Sequence, residues 1–584
     1  MKKFFVFLLS LFFIFSCSQD SRQQFEFSGG SLTMALENQP STYIPRQVLD
    51  YYSAAVLHQI SEGLVSFDAQ NLKIQPMISH SWRTSDDGKS YQFKIRSDIK
   101  FHPHEVFKNE EDRLLTIEDI IYSFELACSP NVNNSPTPSY SLIFKGLIKG
   151  AEAFYLKEEK TISGLTYVDN VLTIDLLYED KNFLNKMANI ASFISSKKVI
   201  EAGNETDKIG TGPFLFSKFI DDEVPKLILL RNKDYYKNDD EGNALPYLDS
   251  LIFDFQSRKL EQLNMFENGE LDLIIGLPTS RITRMLEGRI QDFNVNENKP
   301  PELVLENNPL LESQFYYFNM EDERFKNPLV RKAFNYAINK EDIGREILRN
   351  QYYEIGKYGI IPPVRNALRG YDFKGVEKVG YSYNPELAQK LLAEAGYPGG
   401  EGFGSVNLRY SINDIHSAVA DEFSKQIFRV LGINVNIDGS SFEQLNKDGA
   451  TGNGDIFRLG WAADYPSPES FLMNFYGGYV PDSLSEPSPL NKSRYNNFLF
   501  DEFIDRAKSS EKKSEQMSNF SKAEIELLKD PPMIPLWYSG DIQITQSYIR
   551  NLHFNALNYF DFRKVYIKVW TLEEYKENYN LAKK

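Results

Sequence analysis

Between Val406 and Ile437 the apolar residues change period twice. Val406, Leu408 and Tyr410 alternate with polar neighbours as one face of a strand does, an amphipathic helix is expected from Ala418 to Leu431 with Gly432 closing it, and Ile433, Val435 and Ile437 alternate again. This is a strand, helix, strand unit, and the architecture it implies is α/β.

Other segments fit that class. Ser85-Asp86-Asp87-Gly88 forms a turn, after which Tyr91, Phe93 and Ile95 alternate with Gln92, Lys94 and Arg96. A second strand is expected through Ile99 and Phe101. Thr116 with Asp119 three residues on resembles a capping box, so a helix should run through Ile120, Tyr122 and Phe124 and stop before Pro130. Asn327-Pro328 and Asn384-Pro385 each offer an N-cap followed by proline at the first helical position. A chain of 584 residues is too long for one core, so two or three domains are expected. After Cys17 the only cysteine is Cys128, which excludes an internal disulfide; Cys128 reads as a small buried apolar residue.

The first residues point to a compartment. Lys2 and Lys3 precede an apolar run from Phe4 to Phe15, and Ser16 places a small residue before Cys17. The run is shorter than the ~20 residues that span a bilayer. The pattern resembles a bacterial lipoprotein signal, which implies removal of residues 1–16, acylation of Cys17 and a lipidated tether over residues 17–30. A net charge of −16 argues against nucleic acid and anionic lipid as partners, because both need a basic footprint.

Several motifs carry a further resemblance. Glu62-Gly63-Leu64, Ser81-Trp82, Asp87-Gly88, Tyr91 to Arg96 and Phe101-His102 are followed by Gly210-Thr211-Gly212-Pro213-Phe214 and Arg231-Asn232-Lys233-Asp234-Tyr235. Leu248-Asp249, Gly269-Glu270-Leu271-Asp272, Val330-Arg331-Lys332-Ala333 and Tyr383-Asn384-Pro385 then continue the series. In this order they resemble the family 5 extracellular solute-binding proteins, the dipeptide and oligopeptide receptors of ABC importers. The resemblance implies a two-lobed periplasmic-binding-protein fold of the large type, with an extra N-terminal subdomain and a discontinuous first lobe. The first lobe would comprise 31–65, 190–298 and 535–584, the inserted subdomain 66–189 and the second lobe 299–534. The resemblance implies hinge crossings near Pro300-Pro301 and Pro531-Pro532, where paired prolines stiffen extended backbone; read alone, each pair is equally ordinary loop punctuation.

The stretch Arg458-Leu459-Gly460-Trp461-Ala462-Ala463-Asp464-Tyr465-Pro466 resembles the peptide-binding segment of oligopeptide receptors. The resemblance implies that Asp464 pairs with a peptide α-ammonium; read alone, an aspartate before Tyr-Pro is a turn residue. Gly460 and Ala462 would offer backbone groups to an extended ligand. Trp461 is a pocket wall or a core residue, and Arg458 a partner for a ligand carboxylate or for an inter-strand ion pair. Tyr122 and Tyr538 are pocket or core tyrosines. Where the family often has Leu-Asp-Pro after the first strand, this chain has Ser41-Thr42-Tyr43-Ile44-Pro45.

An enzyme is not indicated, since no Gly-rich phosphate loop or nucleophile elbow is present and six histidines offer few bases. No cofactor or metal is expected, His102-Pro103-His104 being the most metal-like feature. The resemblance implies a monomeric, lipid-anchored extracytoplasmic receptor whose partners are a short peptide and an ABC permease. A receptor for a metal chelate, haem or oligosaccharide, or a sensing or adhesion lipoprotein, are the alternatives.

Overall fold

The computed structural model describes residues 24–48, 50–131, 136–205, 208–278, 299–481, 483 and 486–582. Cys17 and its leader lie outside the described residues. Among those described, no helix is long and apolar enough to cross a membrane.

One eleven-stranded mixed sheet organises the chain. Neighbour by neighbour its strands are Val435–Ser440, Val406–Ser411, Ile456–Ala462, Leu303–Phe318, Met533–Gln546, Leu273–Ile275, Ser31–Ala35, Ser250–Asp254, Lys226–Arg231 and Phe214–Ile220, with Glu354–Ile355 beside Met533–Gln546. The 303–318 and 533–546 strands, of 16 and 14 residues, are the longest of these and pair antiparallel with each other. Each belongs to both halves of the sheet. Residues 543–545 pair with 273–275, while residues 312–318 pair with 456–462. Their mutual register breaks between Pro309 and Ser313, where proline cannot donate to the ladder. Both strands therefore run from one half of the sheet into the other. Pro300-Pro301 and Pro531-Pro532 stand just before these two strands. Buried Arg331 holds the second pair, donating to the Pro531 carbonyl at 2.9 Å and pairing with Asp530.

A separate antiparallel sheet, ordered Ser79–Thr84, Ser90–Ile95, Val171–Asp175 and Leu165–Val168, lies in the sequence between the strands of the first half. Tyr91, Phe93 and Ile95 are buried in its core, and the turn before them closes on Gly88 at φ 66°. Ile99 and Phe101 are buried too, but only the bridge Lys100–Leu114 forms there. Its two bonds run from Phe101 N–H to Arg113 O and from Leu115 N–H to Ile99 O, and the chain then leaves it through His102 N–H, which donates to Gly210 O. The helix Ile117–Ala127 carries the Thr116–Asp119 capping box and stops before Pro130.

In the second half, Pro328–Ala337 and Pro385–Glu394 start on the caps of Asn327 and Asn384. The strands 406–411 and 435–440 are parallel, joined by the helix Asp414–Leu431. That helix begins earlier than its apolar stripe because the Asn413 side chain accepts from His416 N–H. Gly432 closes it at φ 72°. Cys128 is buried and unpaired.

The dispersed motifs meet as structural joints. Glu62 is buried and accepts from Tyr235 at 2.7 Å and Thr211 at 3.0 Å. Gly210 and Gly212 press on the Ile60 carbonyl, where an added Cβ would lie 2.2 Å from its oxygen and 2.5 Å from its carbon respectively. Asp272 accepts from Thr33 N–H at 2.7 Å and Tyr548 at 2.6 Å, tying the first strand to the C-terminal segment.

Candidate functional site

The site grows from the strand Ile456–Ala462. One edge pairs with residues 312–318, and the bond from Ala463 N–H to Leu311 O at 2.8 Å sets which residues face that partner. Because backbone groups alternate along a strand, Leu459 and Trp461 point toward residues 312–318 while Arg458, Gly460 and Ala462 point the other way. On that other side the 406–411 strand pairs only with Ile456 and Phe457. Beyond Phe457 the edge has no strand partner among the described residues. Gly460 keeps the strand thin: a Cβ there would lie 2.6 Å from Gln314 Oε1. Gln314 fills that space, accepting from the Arg458 guanidinium and donating to Glu312 at 2.5 Å. Burial lowers the Arg458 pKa to about 10.

Just past the open edge, Asp464 and Trp461 line a cavity of about 100 Å³ with Leu142, Lys186, Asn189 and Ser470. Ser470 organises this corner. Its hydroxyl accepts from Asp464 N–H at 3.0 Å and its carbonyl accepts from Trp461 Nε1 at 2.7 Å. Burial pushes the Asp464 carboxyl up to about 6, against the opposing effects of Ser470 and Lys186. Lys186 does not neutralise it by contact, because its ammonium pairs with Asp180 at 2.5 Å. Asn189 donates to Asp464 O at 3.3 Å, and Asn182 bonds Ser467 and Glu469. Residues of the 66–189 segment therefore close one side of the cavity.

A second cavity, of about 310 Å³, lies on the other side of the same stretch. Ala462 and Ala463 form one wall; Glu37, Tyr51, Lys259, Glu312 and Asp541 contribute polar groups from both halves of the sheet. The segment 461–464 thus separates two cavities at the junction of the halves.

Arg458, Gly460, Trp461, Ala462 and Asp464 lie along one stretch, of which Trp461 and Asp464 line the first cavity and Ala462 the second, while Arg458, Gly460, Tyr122 and Tyr538 line neither. Tyr122 is half-buried beneath the Lys197 ammonium, 5.6 Å from its ring centre. Tyr538 is buried, and its hydroxyl accepts from Tyr358 N–H at 3.0 Å and donates to Gly359 O at 2.8 Å. Its polar group holds the 356–361 segment. His102 is likewise structural: its ring is buried, bonds Gly212 O at 2.9 Å and is lowered to about 4 by burial. Among the described residues no group of three His, Cys, Asp or Glu side chains is placed to hold a metal ion. Glu37, Tyr51, Glu312 and Asp541 escape sequence reasoning, since no local period or motif marks them and only the strand order unites them.

Comparison with known proteins agrees with this architecture. The chain is 26% identical over 492 residues to heme-binding protein A of Haemophilus influenzae, covering 82% of each chain. It is 24% identical over 538 residues to the dipeptide-binding protein DppE of Bacillus subtilis, covering 90% of each. It superposes on the ABC transporter-associated periplasmic binding protein DppA from Helicobacter pylori in complex with peptide STSA, with TM-score 0.74 and 22% identity, covering 93% of this chain and 99% of that one. The shared fold is the two-lobed α/β fold. The model of the bacterial extracellular solute-binding proteins, family 5, matches residues 73–482, more than half of the chain, and the protein belongs to that family.

Proposed function

We propose that this protein is the extracytoplasmic substrate-binding component of an ABC importer and that it captures short peptides between its lobes. The observation that carries the reading is the unpaired edge at Arg458, Gly460 and Ala462 ending at the desolvated carboxyl of Asp464. An extended peptide adds to such an edge through main-chain bonds, which gives affinity without reading side chains. With its ammonium at Asp464 the peptide runs antiparallel to the 456–462 strand, and Arg458 then lies toward its carboxylate end. A charge shared by all peptides meets a fixed countercharge, so the site recognises a class of ligand. Relatives named for dipeptides, and a solved neighbour holding the peptide STSA, support this choice over the haem named in another relative.

Selection is by binding rather than chemistry. Peptide touches both lobes only when they are closed, so it shifts the population toward that form, which a permease then reads. Cys17 supplies the lipid anchor, and residues 17–30 the tether, in this reading. Mass spectrometry of small molecules released by denaturing the purified protein tests the ligand: short peptides are expected, and haem or oligosaccharide alone would overturn the proposal. Cys17→Ala should leave binding intact and move the protein from membrane to soluble fractions.

A further inference from the structure

We infer that the second cavity receives a cationic side chain of the bound ligand, a lysine ammonium or an arginine guanidinium, held by Glu312 and Asp541. The inference rests on the peptide reading above and adds a side-chain preference to it. Ala462, the last residue of the open edge, forms a wall of this cavity of about 310 Å³, so a side chain from an added strand reaches it.

The charge in the cavity is unbalanced. Three acids, Glu37, Glu312 and Asp541, line it with one cation, Lys259, while Arg458 acts on Glu312 from outside the lining. Lys259 is already committed: it pairs with Glu37 at 2.6 Å and also donates to the Ile275 carbonyl and to Gln262. Glu312 accepts from the Gln314 amide at 2.5 Å and from the Ser539 hydroxyl, and Asp541 from the Asn558 amide at 2.7 Å, all neutral donors. The nearby guanidinium of Arg458 bonds Gln314 instead. Burial pushes Glu312 up to about 7, with Asp541 adding to the rise, and pushes Asp541 up to about 6. Glu37, Tyr51, Tyr52, Lys259 and Arg458 are the other titratable groups facing the pair.

A separate observation also points to a missing donor. The Tyr51 hydroxyl is buried in the same wall and has no hydrogen-bond partner among the described residues. A buried polar atom left unpaired is costly, and three donors on an ammonium or five on a guanidinium satisfy Tyr51 and both carboxylates together. A metal ion fits less well, because no described group of three His, Cys, Asp or Glu is placed to bind one.

Calorimetry on ligand-stripped protein tests this with alanine-based tripeptides carrying lysine at each position in turn, each matched to norleucine of the same length. At one position lysine should bind about tenfold or more tighter than norleucine, the scale of a hydrogen bond to a charged group. Arginine should exceed citrulline there in the same sense. In Glu312→Gln/Asp541→Asn protein, with its fold checked by circular dichroism, the lysine-to-norleucine ratio should fall toward one. Norleucine matching lysine at every position overturns the cation pocket while leaving the peptide reading intact. A double variant that keeps the discrimination also overturns it. Failure of every tripeptide to bind overturns both.

Discussion

Replacing Asp464 with asparagine preserves the shape of the side chain and removes its charge, which gives two opposite effects. In the empty protein the carboxyl is raised from 3.8 to about 6 by burial. A carboxyl with a raised folded pKa contributes its stability below the unfolded value and loses it as pH rises through the folded one. Two pKa units correspond to at most about 3 kcal/mol, and to less here because the group is partly open to the cavity. Asp464→Asn should therefore melt at higher temperature than the parent above pH 6, the difference vanishing near pH 4. Peptide binding should move the other way. Losing one member of a desolvated charge pair costs about 2–5 kcal/mol, or roughly 30-fold to several thousandfold in Kd. Binding by the parent should also weaken about tenfold from pH 7 to pH 5, since a group titrating near 6 goes from about nine-tenths to about one-tenth ionised. The variant should be flat over that range. Calorimetry across pH with a tripeptide, together with melts of the empty protein, measures both arms. Unchanged affinity in the variant, or a parent whose affinity ignores pH, would mean that Asp464 does not hold the ammonium.

Other sites make narrower predictions. Gly212→Ala sets a methyl against the Ile60 carbonyl carbon at 2.5 Å and should cost about 1–3 kcal/mol in urea denaturation, with no route for backbone to yield. Glu524 is fully buried, accepts from Ile360 and Ile361 N–H, and is pushed up to about 8 by burial. Its contribution is present below pH 4.5 and lost toward pH 8, so Glu524→Gln should flatten the fall in Tm over that window. Asn182→Ala leaves Glu469 without its amide partner and loosens the contact between the 66–189 segment and the second half of the sheet. Small-angle scattering should show a larger radius of gyration for the empty variant, and an unchanged value would argue against that contact holding the lobes together.

What was legible in the sequence follows the range of the interactions involved. The helices at Pro328 and Pro385 were readable because an asparagine cap and a proline act within one turn. The early start at Asp414 was not, since His416 stands where a capping box would carry glutamate or glutamine. Ile99 and Phe101 alternate like a strand and are buried like one, yet their backbone bonds only to Leu115 and Arg113 in a single bridge, whose short length no alternation pattern reveals. Paired prolines mark the entry to both long strands, whereas the register break within them is set by cross-strand pairing that no local pattern shows. At the site, the stretch from Arg458 to Asp464 was visible as one continuous motif. The second cavity was not, since Glu37, Glu312 and Asp541 are separated by hundreds of residues and meet only through the order of the strands.

The most direct measurement is the affinity of ligand-stripped protein for one peptide and for the same peptide acetylated at its N-terminus. Acetylation removes the ammonium and leaves the strand-forming backbone. A loss of about 30-fold or more is expected, the lower end of the cost of an unpaired desolvated carboxylate. Equal affinity for the two peptides would contradict it.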